Sequence, residues 1–183
     1  MVADAQLAHA RESQLVTHAI EPVVAPDARA LILGTMPSPA SREVGFYYGH
    51  PRNRFWPVLA RVFDEPATPE TIEERRALIL RHRLALWDVL ARCEICGASD
   101  ASIADPTPND LVGRILARAP IRAVFTTGTT AFRLYRKLCE PLTGIPAICL
   151  PSTSPANAAW RLDALVEAYR PIRDAVEGTC RDA

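Results

Sequence analysis

The apolar positions of this chain fall into short unbroken runs separated by stretches with helical spacing or with none. Residues 29–34 (Arg-Ala-Leu-Ile-Leu-Gly) form one such run, closed by Gly, and its continuity predicts a strand buried on both faces. Similar runs predict strands over 84–90, 121–127 and 146–150. Between them a helix is expected over 53–63, with Pro57 tolerated in its first turn. A second should start at Thr68-Pro69-Glu70, a hydroxyl cap followed by Pro and an acid, and end near His82. Further helices are expected over 110–118, capped by Asn109, over 129–139, and over 157–176. Residues 35–52, rich in Gly, Pro and Ser, and residues 91–108 predict loops without regular structure. Residues 1–27 predict a polar arm, in part helical, and 178–183 a tail.

Strands that alternate with helices pair in parallel and carry helices on both faces. The expected fold is therefore α/β: a three-layer α/β/α sandwich around a central, mainly parallel four-stranded sheet, spanning residues 28–177. Ligands of such sheets bind beyond the carboxyl ends of the strands. The segments there are 34–53, 88–109, 127–130 and 151–157, so a site is expected where they converge.

Composition narrows this picture little. With 183 residues, 49% of them hydrophobic and 23% charged, the chain suits one soluble domain. No apolar run approaches a membrane span and residues 1–30 lack a secretory h-region, so a cytoplasmic, monomeric protein is expected. Five cysteines (Cys93, Cys96, Cys139, Cys149, Cys180) are expected as free thiols, Cys139 and Cys149 as buried fillers. Cys93-Glu-Ile-Cys96 is a lone C-x-x-C pair and His9, His18, His50 and His82 have no ligand spacing, so neither metal nor cofactor is expected. The absence of G-x-G-x-x-G and Walker patterns argues against dinucleotides and nucleoside triphosphates. The 21 basic and 21 acidic side chains balance, which argues mildly against a protein that grips nucleic acid through phosphates. Local charge differs: Arg42, Arg52 and Arg54 oppose only Glu43, and residues 151–160 carry no acid.

Three motifs carry more information: Gly34-Thr-Met-Pro-Ser38, Gly45-Phe-Tyr-Tyr-Gly-His-Pro-Arg-Asn-Arg-Phe-Trp56 and Leu150-Pro-Ser-Thr-Ser-Pro-Ala-Asn157. In order and spacing they resemble the uracil-DNA glycosylase superfamily, most closely its hypoxanthine-DNA glycosylase branch; the mismatch-specific uracil glycosylases share a similar middle segment. The resemblance implies hydrolysis of the bond between a deaminated base and its deoxyribose, in DNA, with the base flipped out of the duplex. Several branches keep a water-orienting acid or amide where this chain has Met36, which cannot serve. In the hypoxanthine branch an Asn further along takes that role, and Asn53 matches its position.

Each residue has a plainer reading beside the functional one. Asn53 can hold a water in line with the bond to be broken, or cap the helix before Phe55-Trp56. The turn formed by Gly34, Thr35, Met36, Pro37 and Ser38 can aim N–H groups at a base carbonyl, or simply leave the strand. Tyr48 falls where the resembling segment stacks on the flipped base, whereas Phe55 and Trp56 suit a core. Relatives carry a base-reading Asn near Asp88; a carboxylate there can accept from the N–H of hypoxanthine or uracil and repel adenine, or cap the following loop. Ser152, Thr153, Ser154, Pro155, Ala156 and Asn157 match the motif that enters the minor groove, with Asn157 as an alternative helix cap. No Lys lies in the motifs, so no Schiff base and no strand-cleaving lyase is expected. Three other functions remain open: a non-catalytic relative that binds damaged or single-stranded DNA, a mismatch-specific uracil-DNA glycosylase, and a hydrolase of free nucleosides or nucleotides.

Overall fold

The computed structural model describes residues 13–97 and 99–178. The elements run β1 (Gln14–Thr17), β2 (Ala30–Gly34), α1 (Pro39–Val44), α2 (Phe55–Val62), α3 (Ile72–Arg81), β3 (Leu84–Asp88) and β4 (Leu90–Ile95). They continue with β5 (Ala104–Pro108), β6 (Ala123–Thr127), α4 (Thr129–Leu138), α5 (Glu140–Thr143), β7 (Ala147–Leu150) and α6 (Leu162–Glu177).

The central sheet has the order β3-β2-β6-β7 and every pair in it is parallel. All five residues of β2 and of β3 are buried, the pattern of strands covered on both faces. Helix α3 packs on β3, α4 on β6 and β7, and α6 on α2 and β2. This is the expected four-stranded parallel sheet flanked by helices. Strand order reverses at β2, between its neighbours β3 and β6, and a cleft opens at such a switch point beyond the carboxyl ends.

A second sheet, antiparallel and of order β1-β4-β5, was not expected. It corrects two readings. Residues 14–17 of the polar arm form strand β1, not helix; residues 91–95 and 104–108, expected as loop, form most of β4 and all of β5, and Leu90, expected to end the previous strand, begins β4. Strand β5 (Ala-Asp-Pro-Thr-Pro) offers no apolar run; it is an edge strand, where Pro is tolerated. Residues 1–12 of the arm and 179–183 of the tail, with Cys180, lie outside the described residues.

Smaller corrections concern caps. Within the expected loop 35–52, Ser38 caps the six-residue α1, its hydroxyl accepting from Ser41 N–H. Helix α3 is capped by Thr71, three residues later than the expected cap at Thr68. Thr71 and Glu74 form a reciprocal capping box, which satisfies more orphan donors than Thr68-Pro69-Glu70 can. Asn109 caps nothing: its amide donates to Asp88 O and Leu90 O, while Asp110 accepts from Gly113 N–H. Helix α6 begins at Leu162 with Arg161 as its cap, so Asn157 is no helix cap. Cys149 is exposed rather than a buried filler, because β7 is the edge of the central sheet; Cys139 is buried.

Candidate active site

A cavity of about 670 Å³ opens at the carboxyl ends of the parallel strands. Its lining includes every site residue singled out in the sequence: Gly34, Thr35, Met36, Pro37, Ser38, Tyr48, Asn53, Asp88, and Ser152, Thr153, Ser154, Pro155, Ala156 and Asn157. It also includes residues that sequence reasoning missed, among them Ser41, His50, Asp100 and Thr127. Thr127 ends β6 and lies in the segment 127–130 that the strand-end rule places at the site, though that rule does not single out the residue itself.

Gly34 and Asp88 end neighbouring strands and are paired in register. A Cβ on residue 34 would lie 2.2 Å from Asp88 Oδ1, so only Gly leaves room for that carboxylate. The Asp88 side chain is buried, and Oδ2 lies 2.9 Å from His18 Nε2. His18 follows β1, in the arm that had been given no role. Across the cavity Thr35 Oγ1 donates to Asp100 Oδ2 at 2.8 Å. Burial pushes the Asp100 carboxyl above its ordinary range, the Thr35 hydrogen bond pulls it back, and the charge of Asp88 adds to the rise.

Tyr48 sits in the left-handed region at φ 52, which costs a bulky residue energy that its surroundings must repay. Its ring stacks on Phe55 with centroids 3.7 Å apart and planes 12° apart, and its hydroxyl lies 3.0 Å from Thr127 Oγ1. Burial, and after it the charge of Asp88, pushes the Tyr48 phenol well above its ordinary range, so it stays protonated. Phe46, Tyr47, Phe55 and Trp56 are core residues, leaving Tyr48 as the half-buried aromatic of the loop.

Asn53 Oδ1 accepts from Phe55 N–H at 3.0 Å and from Thr153 Oγ1–H at 2.8 Å. Both plainer and functional readings meet here, since the first contact stabilises the start of α2 and the second ties the helix to the loop 151–157. Arg54 strengthens that tie. Its guanidinium donates to the carbonyls of Ser154 (2.7 Å), Asn157 (2.9 Å), Thr153 (3.3 Å) and Trp160.

The rest of the loop is held from within. Ser152 Oγ accepts from Ser154 N–H, Ser154 Oγ from Ala156 N–H, and Asn157 Nδ2 donates to Ser152 O. Thr153 is 1% exposed and faces Asn53 rather than solvent. Gly128, at φ 99, brings the β6–α4 turn to within 3.4 Å of Ser152 Cβ, measured from the Cβ it lacks. Ser38 likewise uses its hydroxyl for the α1 cap. Arg42 donates to Pro37 O, so of Arg42, Arg52 and Arg54 only Arg52 has a guanidinium free of such backbone carbonyl contacts among the described residues.

Among the described residues no three His, Cys, Asp or Glu side chains come together as metal ligands, and no helix is long and apolar enough to cross a membrane.

The hypoxanthine DNA glycosylase of Methanosarcina acetivorans is 32% identical over 127 residues, covering 69% of this chain and 79% of that protein. The protein of the same name from Methanosarcina barkeri is 33% identical over 88 residues, 48% of this chain and 56% of that one. A solution NMR structure from Methanosarcina acetivorans, carrying a provisional uracil DNA glycosylase name, superposes with a TM-score of 0.75 at 27% identity. It covers 90% of this chain and 99% of its own. The family model for the uracil DNA glycosylase superfamily matches residues 21–173, which span the whole central sheet and both walls of the cavity, and the chain belongs to that superfamily.

Proposed function

We propose that this protein is a monofunctional DNA glycosylase that hydrolyses the N-glycosidic bond of a deaminated base, hypoxanthine or uracil, without a metal, and leaves an abasic site. The observation that carries this reading is the convergence of Asn53, Tyr48 and Asp88 on one cavity rimmed by the loop 151–157. Base loss needs a water placed under C1′ and stabilisation of the departing base. Asn53 holds the water through its amide oxygen, which requires the Thr153 hydroxyl to turn away as the water arrives. That exchange replaces one neutral hydrogen bond by another and costs about 1 kcal/mol or less. The flipped base stacks on the Tyr48 face turned away from Phe55. Asp88 accepts from the base N–H, and the Gly34–Ser38 turn supplies backbone donors to its carbonyl.

The two donors already on Asn53 Oδ1 favour one alternative, a relative that binds damaged DNA without cutting the base. Single-turnover assays on duplexes carrying hypoxanthine or uracil separate the two. The expected outcome is release of free base in the presence of a chelator, with strand breakage only after heat or alkali. A strict need for added metal, spontaneous strand scission, or tight lesion binding with no base release would overturn the reading.

A further inference from the structure

We infer that His18 is a specificity-determining positioning residue, which holds the Asp88 carboxylate so that Oδ1 faces the cavity as an acceptor for a base N–H. The inference rests on the reading of Asp88 given above and adds a residue that precedes the family-matched segment 21–173.

The proton on His18 is placed by its partners. Its Nδ1 accepts from Ile20 N–H at 3.2 Å, so the proton of the neutral ring lies on Nε2, which donates to Asp88 Oδ2 at 2.9 Å. His18 and Asp88 side chains are only 2% and 7% exposed, so water cannot easily replace either partner. The ring is wedged between Trp87, edge-on at 6.1 Å, and Tyr47 at 6.2 Å. Backbone contacts fix where it stands: His18 N–H donates to Ala91 O at 2.7 Å, continuing the β1–β4 ladder. Tyr47 Oη donates to Glu21 O at 2.9 Å and so holds the following residues.

With Oδ2 filled by His18, Oδ1 lies over the Cα of Gly34, at the cavity wall. A buried carboxylate oxygen left without a donor is costly. Without His18 the group turns toward another donor, which spoils an acceptor aimed at N1–H of hypoxanthine or N3–H of uracil. A base without that N–H then loses its disadvantage.

The test compares single-turnover excision of hypoxanthine with that of unsubstituted purine, which lacks the N–H, in matched duplexes. We expect His18→Ala and Asp88→Asn each to lower the hypoxanthine-to-purine rate ratio about tenfold or more, and the double variant to lower it no further. His18→Gln, whose amide can still donate to Oδ2, should restore most of the ratio, which a purely structural role for the ring would not predict. If Asp88→Asn lowers the ratio and a folded His18→Ala does not, the assignment of His18 fails while Asp88 stands as base reader. If Asp88→Asn leaves the ratio unchanged, the reading of Asp88 fails and takes the His18 inference with it. Nitrogen NMR of the wild-type ring gives a readout apart from activity: an Nε2–H tautomer supports the inference and an Nδ1–H tautomer overturns it.

Discussion

Asn53 has two jobs that one substitution can separate. An amide oxygen that receives Phe55 N–H and the Thr153 hydroxyl stabilises the start of α2, whatever else it does. Asn53→Ala removes both the cap and the water holder, whereas Asn53→Asp keeps oxygens for both. We expect Asn53→Ala to slow the excision step on the order of 10²- to 10⁴-fold with DNA affinity nearly kept, and Asn53→Asp to retain far more activity. A folded Asn53→Ala protein with near-normal single-turnover rates would leave Asn53 a cap alone. Asp100 yields a prediction about stability. Its carboxyl is raised in the folded protein, chiefly by burial, so the folded state holds this proton up to a higher pH than the unfolded chain. Its ionised form therefore opposes folding above that range, and the opposition fades as the pH falls through the raised value. Asp100 is exposed outside its contact with Thr35, so solvent screens much of this effect; Asp100→Asn should raise Tm only slightly at pH 7 and less at pH 4, as thermal melts at the two pH values would show. The contiguous motifs made Asn53 and Tyr48 legible in the sequence, and its place at the end of a strand made Asp88 so. His18 and Asp100 were not, because their partners lie 70 and 65 residues away and nothing local marks either pairing.

Elements were legible where one physical signal dominated. Strands β2 and β3, buried throughout, and β6, buried at its centre, read correctly because burial on both faces leaves an unbroken apolar run that Gly or a polar residue closes; the edge strand β7 keeps an apolar run although only Leu150 of it is buried. Strand β4 alternates inward Leu90, Cys93 and Ile95 with Arg92 and Glu94, but register shifts between Leu90 and Arg92 and between Arg92 and Glu94 break the period of two. Strand β1 has a single buried residue, Val16, because only one face of the small sheet meets the core there. The start of α3 was displaced because Thr68-Pro69-Glu70 and Thr71…Glu74 are both start signals, and only the second closes a box. Thr71→Ala should therefore cost about 1 kcal/mol and lower Tm by roughly 2–4 °C for a chain of this size. Thr68→Ala should leave Tm nearly unchanged. Equal losses from the two, measured by calorimetry, would mean that the box adds nothing.

At the scale of the whole molecule, the proposed function asks a neutral chain to hold DNA long enough to turn a nucleotide out of the stack. Acidic and basic side chains balance at 21 each, and two arginines beside the cavity, Arg42 and Arg54, direct their guanidinium groups at backbone carbonyls of the protein itself. Few phosphates are then neutralised, so binding to undamaged duplex should be weak and should depend only shallowly on salt. What the structure offers instead is a loop whose shape is fixed before DNA arrives. Arg54 ties its carbonyls, Asn157 closes it on Ser152, and the Ser hydroxyls bond within it, leaving Pro155 and Ala156 as its small outward residues. A rigid, narrow loop can enter the minor groove and support the gap behind a flipped nucleotide without a further cost in ordering. Replacing Ser154-Pro155-Ala156 with three Gly removes the Ser154 turn and the Pro restraint while leaving Asn53, Tyr48 and Asp88 in place. Excision from duplex should then slow much more than excision from single strands, where the base needs no extrusion. The measurement is the ratio of duplex to single-strand single-turnover rates in wild type and variant, taken at several salt concentrations. A ratio unchanged by the Gly substitutions would reduce the loop to a wall of the cavity, and a steep salt slope in the wild type would show that phosphate contacts, not loop shape, hold the DNA.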